Sequence, residues 1–403
     1  MLRKLIKSRL ESLERISEGN AWRAAVLIWA VYACVLALIM VFQPDIGKVM
    51  TIYRDASAAW WSGEAIYVVS ARQGFFYLPH AAILLTPVLF FPVVVGEVLW
   101  RLVLVALLAS SVWQLAGAFG GGRRKWTFLV MTAVAVALSL SAARYGQTNV
   151  PLAAFIALAA VGLGRAAWKS SALWLLLSVA SKPVGLVACL LAGACYPRKM
   201  ILPLACGAVL FGAVAFAHPD PRYVAGQYKL FGETMGFAQL TPKHSFCDVQ
   251  GLLRTFGWLP PHALMTAVRA LAAAAVLLLA WLSVRRYDPV RGAFLCMLLA
   301  ALYLLLFNPR TESNSYVLLA PFIGVLLADA ARRPGELGRF LWLMVFAAAL
   351  TCENWGPLHR WTDLWFKAAA TLVFSGFLTR DILAARDPLG LRDPAGQPAG
   401  LTS

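Results

Sequence analysis

The stretch AAVLIWAVYACVLALIMVF, residues 24–42, contains no charged side chain. It matches the roughly 20 apolar residues that a helix needs to cross the hydrocarbon core of a bilayer. The residues before it, 1–23, are polar with charges of both signs, and no small-residue cleavage site follows the apolar run. We therefore predict a retained first membrane span preceded by a cytoplasmic segment, rather than a signal peptide that is removed.

The composition of the whole chain extends this interpretation to the remaining residues. Of 403 residues, 61% are hydrophobic and 14% are charged. In a soluble domain about 45–50% of the residues are apolar and about 25% are charged. In lipid, only helices and closed barrels pair every backbone group internally, and the long runs of Leu, Ala and Val do not alternate with polar residues. The sequence predicts an all-α polytopic membrane protein with about 11–13 transmembrane helices. Spans are expected near residues 24–43, 92–118, 126–143, 147–164, 170–181, 183–196, 199–217, 262–284, 291–307, 314–330, 339–353 and 362–380, and the Pro-containing segment 76–91 is either a tilted or re-entrant piece or one more span.

The net charge of +17 raises the question of a nucleic-acid partner, which the positions of the basic residues argue against. They cluster in short connectors between apolar runs, as they do in cytoplasmic loops. The clusters are Arg123–Lys125, Arg165 with Lys169, Arg198 with Lys199, Arg285 with Arg286, and Arg332 with Arg333. With both termini cytoplasmic, every cluster falls on the cytoplasmic side of an inner (plasma) membrane. This topology gives a single transmembrane domain, residues 24–380, and a Pro/Gly-rich mobile tail, 381–403.

The same topology places two long segments, 44–76 and 218–261, and a short loop, 308–313, on the outer side. Long loops are commonly functional or disordered, but these two are rich in Trp, Tyr and Phe, which favour the membrane interface. We therefore expect ordered interfacial helices in them. Charges next to apolar helices are costly and mark functional sites. On the outer side they are Asp55, Glu64, Arg144, Lys182, Asp220, Arg222, Lys243, His244, Asp248, Arg310 and Glu312.

Lys182 and Arg310 are well placed to bind a phosphate. Lys182-Pro183 separates two short apolar runs, and Arg310 follows Asn308-Pro309. Both cations are thus expected at the lipid surface, where the headgroup of a lipid-linked phosphate would accept charge-assisted hydrogen bonds. An outer carboxylate could act as a general base toward a hydroxyl.

Each candidate also has a structural interpretation. Asp55 opens a helical run and could be an N-cap, Lys182 could extend its ammonium to the interface without a ligand, and Glu64 could be a solvated turn residue. The aromatic residues could pack at the interface instead of forming a sugar platform. His80 and His244 lack partners at metal-ligand spacing and are expected to make ordinary polar contacts.

Three pairs of residues are candidates for structural bonds. In two of them an acid precedes a base by four residues, the favourable order for an ion pair on a helix. These two are Glu97 with Arg101 and Asp363 with Lys367. In the third, a disulfide could join Cys247 and Cys352, which the topology places on one side of the membrane.

The segments YRDASAAWWSGEAIY (53–67) and GFFYLPHAAILLTPVLFFP (74–92) resemble the first outer loop and second helix of glycosyltransferase family 87. Three later segments resemble family segments in the same order: RYGQTNVPLAAFIAL (144–158), SVASKPVGLVACLL (178–191) and NPRTESNSYVLLAP (308–321). The positions that carry the resemblance are Tyr53, Ala56, Gly63, Tyr67, Phe75, Tyr77, Pro79, Gly146, Gln147, Asn149, Lys182 and Pro183. It covers residues 25–330.

The resemblance implies a GT-C fold and a hexosyltransferase that takes a sugar, mannose in the studied members, from a polyprenyl phosphate. The acceptor would be a hydroxyl of a lipid or envelope glycan on the outer side of the inner membrane, with no metal or other cofactor. Lys182, Arg310 and Arg144 would bind the donor phosphate. Asp55 or Glu312 would take the acceptor proton. The residues expected to shape the sugar and acceptor pockets are Tyr53, Trp60, Trp61, Tyr67, Tyr77, Gln147, Asn149 and Asn314.

The chain departs from the family pattern at two places. Val49 stands where the family has an acid four residues before the first Tyr, and the late His pair falls near Asn314 and Ser315. Two other functions stay open: a transporter or flippase of a lipid-linked or anionic solute, and a non-catalytic assembly subunit. Transporters show internal repeats and broken helices near the midplane. Here no repeat is evident and the candidate residues fall in outer loops, which favours the enzyme.

Overall fold

The computed structural model describes residues 16–43, 49–68, 74–240, 246–333 and 335–385. Within these ranges the chain forms helices and no strand, as predicted. Residues 1–15, the tail from 386 onward, and Lys243 with His244 lie outside the described residues. The helices are α1 (Glu18–Phe42), α2 (Val49–Ser62), α3 (Pro79–Leu84), α4 (Val93–Phe119), α5 (Arg124–Arg144), α6 (Asn149–Gly164), α7 (Trp168–Ser181), α8 (Leu186–Cys195), α9 (Pro197–Val214), α10 (Pro221–Leu240), α11 (Val249–Thr255), α12 (His262–Arg286), α13 (Pro289–Phe307), α14 (Ala320–Ala331), α15 (Leu337–Ala349), α16 (His359–Thr362) and α17 (Phe366–Leu383).

The long helices are those that the apolar runs predict. Seven described helical stretches are long and apolar enough to cross a membrane, and four further apolar stretches are shorter. The chain is therefore a polytopic membrane protein. The Pro-containing segment resolves into α3 and a 3₁₀ segment, Thr86–Phe90, instead of one more continuous span, because its prolines interrupt the hydrogen-bond ladder.

The centre of the bundle is formed by helices that are apolar on every side. All residues of α14, all of α6 except Gly164 and most of α13 are buried, as expected for helices without a polar face. Helix α5 packs against α1 and α14, and α6 packs against α4, α7 and α13. By contrast, α9 buries only Met200 among its own residues, so most of its surface is left for lipid.

The connectors at one end of the bundle carry the basic clusters, and we call this the basic end. The Arg332 guanidinium donates to the carbonyl of Gly120 at 3.0 Å, and Arg165 reaches the amide oxygen of Gln114 at 3.4 Å. The opposite end, which we call the site end, carries the connectors 145–148, 182–185 and 308–313. The two kinds of connector are therefore separated by the length of the helices.

The aromatic segments at the site end fold as helices, as predicted. Helices α2 and α10, with residues 66–68 and 74–85, bury a second apolar cluster of their own around Tyr53 and Trp60. This cluster forms a cap over the membrane-spanning bundle. It places the Tyr-rich motif directly beside the connector between α5 and α6.

The predicted structural pairs have different outcomes. Glu97 and Arg101 form the expected ion pair, and both side chains are buried. Lys367 does not pair with Asp363, because a longer-range partner is available: its Nζ lies 3.1 Å from Oε2 of Glu353. The disulfide prediction is wrong for this structure, in which both thiols, Cys247 and Cys352, are free.

Candidate active site

The Lys182 side chain reaches across the site end to the start of α6. Lys182 is the C-cap of α7, where Pro183 prevents the helix from continuing. Its Nζ donates to Oδ1 of Asn149 at 3.0 Å. Burial lowers the pKa of Lys182, the charge of Glu312 opposes that shift, and the charge of Arg310 adds to it. The ammonium is thus held among charged groups of a different connector.

Asn149 connects this lysine to the loop before α14. It is 1% exposed, and its Nδ2 donates to Oδ1 of Asn314 at 2.7 Å and to the hydroxyl of Ser315 at 3.2 Å. Three connectors, from three family-like segments, therefore meet through one amide side chain. The sequence predicts Asn149, Lys182 and Asn314 as site residues, and the structure brings them into direct contact.

Glu312 supplies the carboxylate of this group. Its charge influences the pKa values of Lys182 and Arg310, and it adds to the raised pKa values of Tyr53 and Tyr77, for which burial is the main cause. Within the described part of the chain, its Oε2 is buried and has no hydrogen-bond partner. A buried polar atom without a partner calls for an explanation, such as a catalytic role or a missing ligand.

Arg310 lies two residues before Glu312 and stacks on aromatic rings. Its guanidinium carbon is 4.2 Å from the ring centre of Phe76 and 5.5 Å from that of Phe246. Such stacking satisfies the face of the guanidinium and leaves its edge for hydrogen bonds to anions. Burial lowers the pKa of Arg310, and the charge of Glu312 opposes this.

Two tyrosines from the cap complete the group, which we call the site cluster: Tyr53, Tyr77, Thr148, Asn149, Lys182, Arg310, Glu312, Asn314 and Ser315. The hydroxyls of Tyr53 and Tyr77 are 2.9 Å apart, and Thr148 donates to the Tyr77 hydroxyl at 3.1 Å. Both rings are buried. The hydroxyls thereby form a chain that ends at the residue before Asn149.

The turn that carries Thr148 depends on Gly146. Gly146 has a φ of +69°, and a Cβ there would lie 2.9 Å from the guanidinium of Arg101. Trp100 donates to the Gly146 carbonyl at 2.8 Å, and Arg101 donates to the Arg144 carbonyl at 3.2 Å. The buried Glu97–Arg101 ion pair thus contacts this turn through the Arg101 guanidinium.

We expect Gly146→Ala to destabilise the folded protein more than Gly121→Ala does. Both glycines have positive φ, but a Cβ at Gly121 meets nothing within 4 Å. The backbone conformation alone costs about 1–2 kcal/mol for a residue with a Cβ, and the clash with Arg101 adds to this at Gly146 only. Thermal unfolding in detergent, monitored for both variants, measures the difference. Equal melting temperatures would show that Arg101 yields without cost.

The structure separates Asp55 from the site cluster. Helix α2 begins at Val49, so Asp55 lies in its middle and the N-cap interpretation is wrong. Asp55 follows Tyr53 by two residues, roughly 200° around the helix, and it is exposed whereas Tyr53 is buried. In the part of the chain that the structure describes, the Asp55 side chain forms no hydrogen bond or ion pair.

Three aromatics predicted to bind sugar make contacts within the cap. Trp60 is fully buried and packs edge-on against His218 and Tyr223, so it presents no face to a sugar. The indole of Trp61 donates to the Thr86 hydroxyl at 2.7 Å. Tyr67 donates to the Tyr77 carbonyl at 2.6 Å. Packing accounts for the buried Trp60 and Tyr67, whereas Trp61 is 45% exposed; a role of the three in sugar binding stays a prediction.

Arg144 and Gln147 belong to the connector between α5 and α6 but are not members of the site cluster. The Arg144 guanidinium donates to the Tyr145 hydroxyl at 2.7 Å and covers that ring at 4.8 Å. Gln147 is half-buried, with its backbone N–H bonded to Ala142. The structure therefore places both in the right connector without tying their side chains to Lys182. Their proposed roles in binding remain predictions.

An apolar cavity of about 660 Å³ begins beside the site cluster. Leu78 adjoins Tyr77, and Val179 and Leu186 flank the Lys182 turn, so the cavity and the cluster share two connectors. Its other lining residues are His80, Leu176, Cys189, Leu190, Gly193, Ala194, Pro197, Ile201, Leu204, Ala205, Ala208, Phe211, Gly212 and Tyr228.

The cavity opens toward the lipid-facing surface between α8 and α9. Among its lining side chains, Leu186, Leu190 and Ile201 are each more than half exposed. Along α8 it extends from Leu186 to Ala194, a rise of about 12 Å. The imidazole of His80 is 3% exposed and lies 4.2 Å from the Phe211 ring, so the polar contact predicted for it is replaced by an aromatic one.

Sequence reasoning missed Thr148 and the aromatic partners of Arg310. Thr148 sits inside the segment RYGQTNVPLAAFIAL, and its place next to Asn149 was an available signal. Phe76 and Phe246 come from two segments that lie far apart in the sequence. No local pattern indicates that they would meet on one guanidinium.

The fold and the site cluster define an all-helical, polytopic membrane protein with charged and amide groups gathered at one end of its bundle. The chain belongs to glycosyltransferase family 87, whose family model matches residues 75–309, more than half of its length. It is therefore a membrane-embedded glycosyltransferase, which acts on lipid and glycan substrates. No curated protein and no solved structure matches it.

Proposed function

We propose that this glycosyltransferase moves a hexose such as mannose from a polyprenyl phosphate to a hydroxyl of a lipid or envelope glycan. The observation that carries the proposal is the junction of the site cluster with the apolar cavity. Leu78, Val179 and Leu186, which are close in sequence to Tyr77 and Lys182 of the site cluster, line the cavity, and its other walls are apolar except for one buried His and one Tyr. Such a site suits an amphiphile with an anionic head and a long apolar chain.

In this scheme the donor phosphate binds Lys182 and Arg310. Both are cations of the site cluster, and their charge stabilises the phosphate as it leaves. Asn149 holds the Lys182 ammonium through its Oδ1, so that the lysine is oriented before the donor arrives. The isoprenoid chain then extends between α8 and α9 into the cavity and the surrounding lipid.

The transfer is a displacement at the anomeric carbon. The acceptor oxygen forms the new bond to C1, the bond from C1 to the phosphate oxygen breaks, and its electron pair stays on the phosphate. The acceptor proton passes to Glu312, whose unpartnered Oε2 is ready to accept it. A direct displacement of this kind inverts the anomeric configuration. The paired carboxylates of a glycosidase are not needed, because phosphate is already a good leaving group.

The basic clusters support a sidedness for the reaction. They lie at the end of the bundle opposite to the site cluster, and such clusters favour the cytoplasmic side. The transfer would then take place on the outer face of the inner membrane, with both termini inside.

A transfer assay tests the proposed function. Purified protein in detergent is incubated with polyprenyl-phosphate-[¹⁴C]mannose and a membrane lipid extract, and labelled products are separated and counted. We expect transfer of label to an extract component. Translocation of the donor in liposomes without any transfer would support a flippase and overturn the proposal.

A filled cavity should weaken donor binding. We expect Ala208→Phe to raise the donor KM about tenfold or more, a loss of about 1.4 kcal/mol or more, because the phenyl ring takes up volume that the donor chain would fill. Val209→Phe is the matched control, since Val209 is the next residue of α9, is 72% exposed and does not line the cavity.

A comparison of donors with short and long lipid chains shows whether the effect of Ala208→Phe arises in the cavity. With a short-chain, water-soluble donor the Ala208→Phe variant should match the wild type, because the blocked region is then unused. An equal loss with short and long donors would place the effect elsewhere in the protein.

A further inference from the structure

Lys367 is a buried cation that the site cluster does not include. It lies in the first turn of α17 and its side chain is 1% exposed. The ammonium is 3.1 Å from Oε2 of Glu353, whose side chain is 9% exposed, and 5.5 Å from the centre of the Tyr316 ring. Buried ion pairs contribute little net stability, since apolar residues of similar volume often serve as well. The position of this pair therefore calls for another explanation.

The third bond of Lys367 points to the active site. Its Nζ donates to the carbonyl of Ser313 at 2.9 Å, and Ser313 is the residue between Glu312 and Asn314. A hydrogen bond from an ammonium is roughly twice as strong as one between neutral groups. Lys367 thereby fixes the backbone directly after the carboxylate that carries the proposed proton transfer.

The same loop is held on its other side. The backbone N–H of Cys247 donates to the Thr311 carbonyl at 2.7 Å, and the Tyr316 hydroxyl donates to the Cys247 carbonyl at 2.7 Å. Thr311 itself donates to the carbonyls of Leu304 and Asn308. Glu312 is thus placed between two anchors, one from the segment before α11 and one from α17.

We propose that Lys367, held by Glu353, is a positioning residue that keeps the Glu312 carboxylate in register with Lys182. The proposal rests on the proposed function, in which Glu312 takes the acceptor proton. Lys367 lies outside the residues matched to the family, 75–309, so the family assignment does not supply this role. A reacting group must be held closely, because a displacement of about 1 Å can cost on the order of 10²-fold in rate.

The test compares Lys367→Met with Lys229→Met. Lys229 also pairs with a glutamate, Glu233 at 4.0 Å, but its side chain is 80% exposed on α10. With polyprenyl-phosphate-[¹⁴C]mannose as donor, Lys367→Met should lower kcat about 10- to 100-fold and leave the donor KM unchanged. Lys229→Met should match the wild type. Wild-type kcat in Lys367→Met, or a rise in donor KM without a fall in kcat, would overturn the proposal.

A double variant shows whether Lys367 acts through Glu312. Lys367→Met should not slow a protein that already carries Glu312→Gln, because the group it positions is then inactive. An equal further loss in that background would contradict the proposal. If Lys367→Met does not fold, Glu353→Gln replaces it and should lower kcat with an unchanged donor KM, whereas an unchanged kcat would count against the role.

Hydrogen exchange separates this inference from the proposed function. In Lys367→Met the peptide covering residues 308–316 should exchange faster than in the wild type and in Lys229→Met. This result would support the anchoring even if the wild type transferred no sugar, in which case only the proposed function would fail. Unchanged exchange in that peptide would overturn the anchoring itself.

Discussion

Glu312→Gln should lower kcat for sugar transfer by about 10²–10⁴-fold, the usual contribution of a general base. The substitution keeps the size of the side chain and removes its ability to accept a proton. The donor KM should change little, because Lys182 and Arg310 remain. Labelled donor and a membrane lipid extract, with initial rates at several donor concentrations, give both constants.

Asp55→Asn is the matched control for this prediction. Asp55 is exposed on α2 and lies apart from the site cluster, so its loss should leave kcat near the wild-type value. The opposite pattern, with a large loss in Asp55→Asn and none in Glu312→Gln, would show that the cap moves during catalysis and that Asp55 is the base.

Lys182→Met should lower kcat/KM for the donor by about 10²–10³-fold, the effect of removing one group that stabilises a developing oxyanion. The methionine fills nearly the same volume without the charge, and Asn149 loses the partner of its Oδ1. Steady-state kinetics with the labelled donor measure the loss. Full activity of a folded Lys182→Met variant would refute a role of Lys182 in binding the phosphate.

The pH profile of Lys182→Arg gives an independent check on the same residue. Burial lowers the pKa of Lys182, so the ammonium is charged below that pKa and loses its proton as the pH rises through it. Donor affinity of the wild type should therefore fall on the alkaline side. Arginine stays protonated across this range, so the alkaline limb should move to higher pH in the variant.

The sequence predicts the membrane-spanning helices well because their signal is local. The apolar run 24–42 lies inside α1, and the short runs on either side of Lys182 become α7 and α8. Each of these helices is predicted from the length of its apolar run and from the prolines beside it, which are features of consecutive residues. The connectors that carry Lys182 and Asn149 follow from the same boundaries, and the two side chains are hydrogen-bonded in the structure. Their roles in one active site stay predictions.

The remaining errors concern orientation and long-range pairing. Asp55 precedes a run that predicts a helix, but α2 begins at Val49, and its packing turns Tyr53 inward and leaves Asp55 exposed. The spacing along the sequence predicts Asp363 as the partner of Lys367, whereas in the structure Lys367 pairs with Glu353, 14 residues before it. Such contacts depend on how helices pack, which the pattern of a single segment does not encode.

A cryo-electron microscopy structure with a bound polyprenyl phosphate tests the central claim most directly. We predict phosphate oxygens about 2.7–2.9 Å from the Lys182 Nζ, with the Arg310 guanidinium on the same phosphate and the first isoprene units between α8 and α9. A phosphate bound at the basic end of the bundle, or a lipid chain that leaves the cavity empty, would contradict it.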